Sequence, residues 1–367
     1  MKIAILGTRG IPNYHGGFEQ FAEFFSIFLH KKGIDIYVYC SSIHPYKENT
    51  YKGVKLIVCR DYEDKIGTAG QFLYDLNCIL DARKRNFDVI LQLGYTSSSI
   101  WSFLFPKNAI IVTNMDGLEW KRTKYNSIVQ KFLMYAEKWA VNYSDYLISD
   151  SIGIQEYISK KYNRSSEFIA YGAKLFDSPD LNKIQSIVSI PHSYDLLIAR
   201  MEPENNVETI IKGYLKKDTR RKLLLVGNYN GTKFGQYLHE EYSAFDSIVF
   251  LGSIYEMEVL DNLRYYSNLY FHGHSVGGTN PSLLEAMACN CCIVAHDNVF
   301  NKSILNQDAF YFSDDNQLSE WLLLDKKQED IALKIEKNRS KIRNQYDWEV
   351  INTAYLDFIR QCIKEKK

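Results

Sequence analysis

Short apolar strand patterns alternate with helical patterns along this chain, and the series runs twice. The first run reads KIAILG, then the helical FEQFAEFFSIFLHKKG, then IDIYVYC, DVILQLG, AIIVTN and DYLISD. Strands spaced by helices predict a parallel sheet covered on both faces. In the first helix Phe18, Phe21, Phe25, Phe28 and Leu29 recur at helical spacing, which predicts an apolar stripe against the sheet, and Gly33 ends it. From Tyr171 to Pro191 the pattern breaks into small polar residues and prolines, as a linker would. The second run follows as YDLLIAR, VETIIKGYLKK, KLLLVG, SIVFLG, NLYFHG, SLLEAMAC and CIVAH. A chain of 367 residues is long enough for two such domains, each burying its own core. The expected division is 1–176, 187–345 and a terminal helix over 346–367.

Charge excludes some functions. Lys plus Arg and Asp plus Glu both number 44, so no whole-molecule field draws the chain to nucleic acid. The opening MKIAILGTRG does not read as a signal peptide, and no apolar run approaches the roughly 18 residues of a membrane span. The expectation is a cytoplasmic protein. Of the seven cysteines, Cys289, Cys291 and Cys292 crowd together without zinc-ligand spacing. They are expected to be reduced, buried packing residues, with no metal bound.

In open α/β sheets ligands sit beyond the carboxyl ends of the strands, which directs attention to the loops there. The first, GTRGIPNYHGGFE, has Gly16 and Gly17 just ahead of a helix whose unpaired N–H groups suit an anion, though it lacks the dinucleotide G-x-G-x-x-G spacing. The second, TNMDGLEWKR, offers Asp116 and Glu119. Either carboxylate could act on an acceptor hydroxyl or stabilise a cationic sugar-like transition state; Asp116 could equally be a turn or helix cap. The third, HSVGGTNPSLLEAMA, runs through Gly277, Gly278, Thr279 and Asn280 into a helix with Pro281 in its first turn and Glu285 one turn further. A glycine-rich helix start suits a diphosphate, and an ionised Glu285 can accept both hydroxyls of a ribose, unless it is simply an exposed first-turn acid. Arg200, at the end of YDLLIAR, can grip phosphate oxygens in two places and offset leaving-group charge.

These motifs, in this order, resemble glycosyltransferase family 4, and within it the bacterial rhamnosyltransferase-like branch that opens with GTRGIP…GGFE. The resemblance runs through TNMDGLEWKR, DSIGIQEYI, ARMEPENNVETII, LLLVG and GTNPSLLEAMA to the terminal YDWEVI. It implies the GT-B fold: two Rossmann-like, doubly wound domains facing across a cleft, with a carboxyl-terminal helix crossing back to the first. It also implies a retaining transfer without metal or other cofactor, from a nucleotide diphosphate sugar held mainly by the second domain.

Carried over by position, Arg200 would bind the diphosphate and Glu285 the ribose. Gly277, Gly278, Thr279 and Asn280 would contact phosphate and sugar, Gly16 and Gly17 would border donor and acceptor, and Asp116 would lie near the reacting sugar. Two positions depart from the family pattern. Asn205, also expected in the donor site, stands where many relatives have a Lys, and Gly277 where they have the first of two glutamates.

The branch resemblance implies rhamnose from dTDP-rhamnose as donor and a lipid-linked saccharide as acceptor, in surface polysaccharide assembly. The alternatives are a nucleotide-sugar epimerase on the same fold and an NAD-dependent oxidoreductase, the latter disfavoured by the missing G-x-G-x-x-G. Within WKRTKYNSIVQKFLMYAEKWAV, Lys121, Arg122, Lys124, Lys131 and Lys138 accompany Trp120, Phe132, Leu133 and Trp139. That mixture suggests peripheral contact with the inner face of the cell membrane, or else an ordinary packed helix with a charged face. The last segment predicts an amphipathic helix with Trp348, Ile351, Tyr355 and Ile359 along one side.

Overall fold

The computed structural model describes residues 1–14, 16–122, 125–276, 278–326 and 328–366. The chain divides into two compact units: Met1–Lys121, Tyr125–Tyr171 and the segment from Trp348 onward form one, and Gly172–Asp347 with Arg122 forms the other.

The first unit is built on an eight-stranded sheet, in the order β3-β4-β2-β1-β5-β6-β7-β8. Its strands are β1 (Lys2–Leu6), β2 (Asp35–Ser41), β3 (Thr50–Tyr51), β4 (Val54–Cys59), β5 (Val89–Leu93), β6 (Ile110–Asn114), β7 (Tyr146–Ser149) and β8 (Glu167–Phe168). All pairs are parallel except β3 with β4. β1 lies between β2 and β5, with Ile3 facing Ile36 on one side and Val89 on the other. The strand order reverses there, so the loop after β1 emerges at the switch point, where doubly wound sheets bind ligands.

The helix Gly17–Lys31 buries Phe21, Phe25, Phe28 and Leu29 as its periodicity predicts, and Gly33 follows it at φ 75°. Its stripe is not wholly spent on the sheet. Phe21 and Phe25 also meet Tyr355, with ring centroids 4.5 and 5.4 Å away, and Phe24 stacks on Trp348 at 4.6 Å. Those partners belong to the terminal helix Trp348–Lys366, which buries Trp348, Ile351, Tyr355 and Ile359 and forms part of the first unit although it follows the second in sequence.

The second unit holds a six-stranded, all-parallel sheet of β9 (Tyr194–Ile198), β10 (Lys222–Val226), β11 (Ile248–Gly252), β12 (Tyr270–His272), β13 (Ile293–His296) and β14 (Phe310–Phe312). The order β11-β10-β9-β12-β13-β14 again reverses at its middle, between β9 and β12. Leu197, Leu223, Leu225, Phe271 and Val294 from these strands share one core with Val207, Ile210, Ile211 and Leu318 from the covering helices.

The stretch expected as a linker is folded. Ile184 within it is fully buried, Phe176 packs edge-on against Tyr265 at 6.0 Å, and the Asp180 N–H donates to Asn262 at 2.7 Å. Apolar residues spaced among the prolines give this stretch enough surface to bury on the second unit. All seven cysteines are free and buried.

Candidate active site

In the first unit the glycine-rich loop is held by acids of the helix that follows it. Glu19 Oε1 accepts the Arg9 N–H at 2.9 Å, and Glu23 Oε2 accepts that of Asn13 at 2.9 Å. The Tyr74 hydroxyl donates to the Thr8 carbonyl at 2.9 Å, and the Tyr171 hydroxyl to the Gly17 carbonyl at 2.7 Å. Glycine is demanded at Gly7, where φ is 83° and a Cβ would lie 2.0 Å from the Leu93 carbonyl oxygen. It is not demanded in that way at Gly16, whose φ of 178° is ordinary extended backbone. A Cβ on Gly16 would come no closer than 3.7 Å to Glu19, so the missing side chain leaves room for a ligand to approach the main chain. Gly17 is the first residue of the helix.

Asp116 lies two residues past β6 with φ at 50°, a left-handed conformation uncommon for a side-chain-bearing residue. Its N–H donates to Asn114 Oδ1 at 2.9 Å, and Asn114 Nδ2 in turn donates to the Tyr355 hydroxyl at 2.7 Å. Glu119 is buried in the short turn Glu119–Lys121. The helix Ser127–Tyr143 turns Leu133, Ala136, Glu137 and Val141 inward. Leu133 is therefore core rather than part of a membrane-facing set, whereas Lys121, Lys131 and Lys138 are exposed, the last two beside Tyr135 and Ile128. Trp120 is also engaged inward, its Nε1 donating to Glu137 at 3.1 Å. Lys124 lies outside the described residues.

In the second unit Arg200 follows β9 and the glycine loop follows β12, so both flank the switch point. Arg200 is exposed, and among the described residues its guanidinium has no hydrogen bond or ion pair. Asn205 is buried and its amide donates to the Arg200 carbonyl at 2.8 Å, so the side chain in the Lys position fixes the backbone that carries the arginine. The two loops are laced together. Asn206 Nδ2 donates to the Gly273 carbonyl at 2.8 Å, and the Ser275 N–H and hydroxyl both donate to the Glu204 carbonyl, at 3.0 and 2.8 Å. A Cβ on Gly273 would lie 2.0 Å from the Asn205 carbonyl oxygen.

Gly278 and Thr279 lead into the helix Pro281–Ala288, and Asn280 is its cap, Oδ1 accepting the Ser282 N–H at 2.9 Å. Gly277 lies outside the described residues. Glu285 is not the exposed first-turn acid it could have been: its side chain is 18% exposed, and Oε2 accepts from Arg264 Nη2 at 2.5 Å.

Three features here have no counterpart in the sequence reading: Glu19 as the brace of the first loop, Arg264, and the histidines of FHGH. His272 is fully buried, neither ring nitrogen has a partner among the described residues, and it stacks on His274 with centroids 4.5 Å apart. Burial, then the nearby charges of Arg200 and Arg122, push His274 down to about 3. Burial, then His274 and His296, hold His272 well below the usual imidazole range. Both rings are neutral at physiological pH. The rim thus presents the fixed cation of Arg200, a helix amino terminus and a pinned carboxylate, a set suited to a diphosphate joined to a polyhydroxylated group. Among the described residues no group of three or more His, Cys, Asp or Glu is arranged to hold a metal ion.

Residues 193–341, the strands and loops carrying Arg200 and Glu285, match the family Glycosyl transferases group 1. The chain is a glycosyltransferase. Residues 1–174 match a domain of unknown function, DUF1972. An uncharacterized glycosyltransferase of Methanocaldococcus jannaschii is 23% identical over 327 residues, covering 80% of each chain. Sucrose-phosphate synthase from Thermosynechococcus elongatus superimposes with a TM-score of 0.81 at 16% identity over 99% of each chain. HepE from Anabaena, in a complex with UDP and glucose, gives 0.76 at 16% identity over 98% of this chain and 99% of its own. The glycosyltransferase therefore has the GT-B fold. Neither the epimerase nor the NAD-dependent oxidoreductase is favoured by these matches. Among the described residues no helix is long and apolar enough to cross a membrane.

Proposed function

We propose that this glycosyltransferase moves rhamnose from dTDP-rhamnose to a lipid-linked saccharide, with retention of configuration and without a metal ion. The observation that carries the donor assignment is the pairing, on one rim of the second unit, of an uncommitted Arg200 with a glycine-led helix start and Glu285. In this reading Arg200 and the main chain at Gly277, Gly278 and Thr279 bind the diphosphate. Asn205 and Asn280 shape those two loops, and Glu285 takes the 3′-hydroxyl of the nucleoside sugar. The bond from the anomeric carbon to the diphosphate breaks while the acceptor oxygen bonds to that carbon, and the acceptor proton passes to the departing diphosphate. Arg200 offsets the charge building on the leaving group.

The first unit takes the acceptor. Gly16 and Gly17 border it, and Asp116 stabilises the positive charge that develops on the sugar. That HepE binds UDP, UDP-glucose and glucose supports a nucleotide sugar as the donor class; rhamnose and the lipid-linked acceptor rest on the rhamnosyltransferase-like motifs. The exposed Lys131 and Lys138 beside Tyr135 would bring the enzyme to an anionic bilayer. The test is acceptor-dependent release of dTDP from dTDP-rhamnose in the presence of EDTA, with UDP-glucose and GDP-mannose in parallel. Release from none of them, with lipid-linked saccharide present, would overturn the reading.

A further inference from the structure

Arg264 is 1% exposed, one of the largest fully buried side chains in the protein. It lies on the helix Met257–Tyr266, beneath the glycine-loop helix Pro281–Ala288. Nη2 donates to Glu285 Oε2 at 2.5 Å and Nη1 to Asp261 Oδ1 at 3.0 Å, while Nε has no partner among the described residues. Burial works against the charge, yet Glu285 and, further back, Asp261 hold the guanidinium above its ordinary value. It stays a cation under all conditions of interest.

Stability does not account for this arrangement. Desolvating a guanidinium costs several kcal/mol on its own, and apolar side chains of similar volume commonly replace buried ion pairs at no loss. An unpaired Nε adds to the cost. Asp261, with its side chain 24% exposed, does not need a buried partner. The ion pair does something an apolar core could not. It fixes one oxygen of the only carboxylate on the glycine-loop helix, and so sets the direction in which that carboxylate faces.

We infer that Arg264 is a positioning residue for the donor: it orients Glu285 so that the carboxylate accepts a hydrogen bond from the 3′-hydroxyl of the nucleoside sugar. The inference rests on the donor reading above. A fork of fixed geometry transmits orientation as well as charge, which a lysine ammonium does not. The surrounding contacts keep the fork itself in place: Cys289 Sγ donates to Asp261 at 3.5 Å, and the Tyr270 and Ser282 hydroxyls meet at 2.7 Å beside it.

The experiment compares dTDP with 3′-deoxythymidine diphosphate, and UDP with 3′-deoxyuridine diphosphate, by calorimetric titration of the full chain and of Arg264→Met and Arg264→Lys, with thermal midpoints recorded for each. The wild type should prefer the 3′-hydroxyl form by roughly 10-fold to 150-fold, the equivalent of one hydrogen bond to a charged group. Arg264→Met should bring that ratio close to one while leaving affinity for the 3′-deoxy form unchanged, and Arg264→Lys should restore only part of it. A folded variant with the wild-type ratio, whatever its thermal midpoint, would overturn the inference. If Arg264→Met does not fold, Arg264→Lys alone decides, since a full wild-type ratio there would show that orientation by the fork is not needed. A wild type that binds neither nucleotide, or does not distinguish the two forms, would overturn the donor reading itself, a result separable from failure of the variants.

Discussion

The Tyr355 hydroxyl lies 2.7 Å from the Asn114 amide nitrogen and accepts its hydrogen, although 241 residues separate them in sequence. Asn114 then passes the constraint on, its oxygen accepting the N–H of Asp116. The terminal helix thereby sets the turn that carries a candidate catalytic acid. Replacing Tyr355 with Phe leaves a buried amide without its acceptor, at a cost of about 1–3 kcal/mol in stability. Asn114→Ala should cost a similar amount and also release Asp116 from its left-handed turn, lowering kcat. Urea denaturation of both variants, with turnover measured alongside, tests this.

Glu285→Ala should weaken donor binding by about 1.5–3 kcal/mol, roughly 10-fold to 150-fold in affinity. It should also destabilise the protein by about 3–5 kcal/mol, because Arg264 would be left as a buried charge with a weaker partner. Nucleotide titration and thermal unfolding of the same sample read the two effects; unchanged affinity would remove Glu285 from the site.

Glu19 braces the first loop through the Arg9 N–H. Glu19→Ala should therefore raise the exchange rate of the Arg9 amide, while the amides of β1 keep their protection, as expected when a local brace is lost without global unfolding. Hydrogen exchange followed by mass spectrometry resolves the two segments.

Asp75 is buried and hydrogen-bonded to the Ser97 hydroxyl at 2.6 Å, with Asp61 nearby. Burial pushes its carboxyl from 3.8 to about 7, Asp61 adding to the rise and Ser97 opposing it. The folded state thus holds a proton that the unfolded state has already released over that interval. The stabilisation is complete below pH 3.8 and is lost as pH rises to about 7, by up to roughly 4 kcal/mol. His274 has the opposite sign, since its folded value of about 3 lies below 6.5 and costs stability as pH falls through that range. The two oppose each other between about pH 4 and 6.5, so Asp75→Asn should leave a stability that rises with pH over that range. Denaturation midpoints measured between pH 4 and 8 distinguish them.

Both sheets were legible from alternation alone, because a strand buried on both faces must be an apolar run and the helices between strands carry a 3.6-residue period. The division of the first helix's stripe between sheet and terminal helix was not, since periodicity says which face is apolar and not what covers it. Among candidate site residues, Arg200 and the glycine loop follow from the rule that ligands sit at strand ends. Arg264 escaped because arginine is ordinarily read as surface. Its signal was nevertheless present: on MEVLDNLRYY it falls with Leu260 and Leu263 on the inward stripe, where a charge must have a partner. Asn205 shows the opposite case, a position singled out for the donor whose amide holds the Arg200 backbone.

A nucleotide-sugar donor site on the second unit is best tested by thermal unfolding with dTDP, UDP, GDP and NAD, with Arg200→Ala as control. A ligand that binds only the folded state must raise its stability, by about 2.7 kcal/mol at a hundred times its dissociation constant. Stabilisation by a nucleoside diphosphate is expected, and Arg200→Ala should largely abolish it. A response to NAD alone, or stabilisation by a diphosphate that persists undiminished in Arg200→Ala, would contradict the donor site.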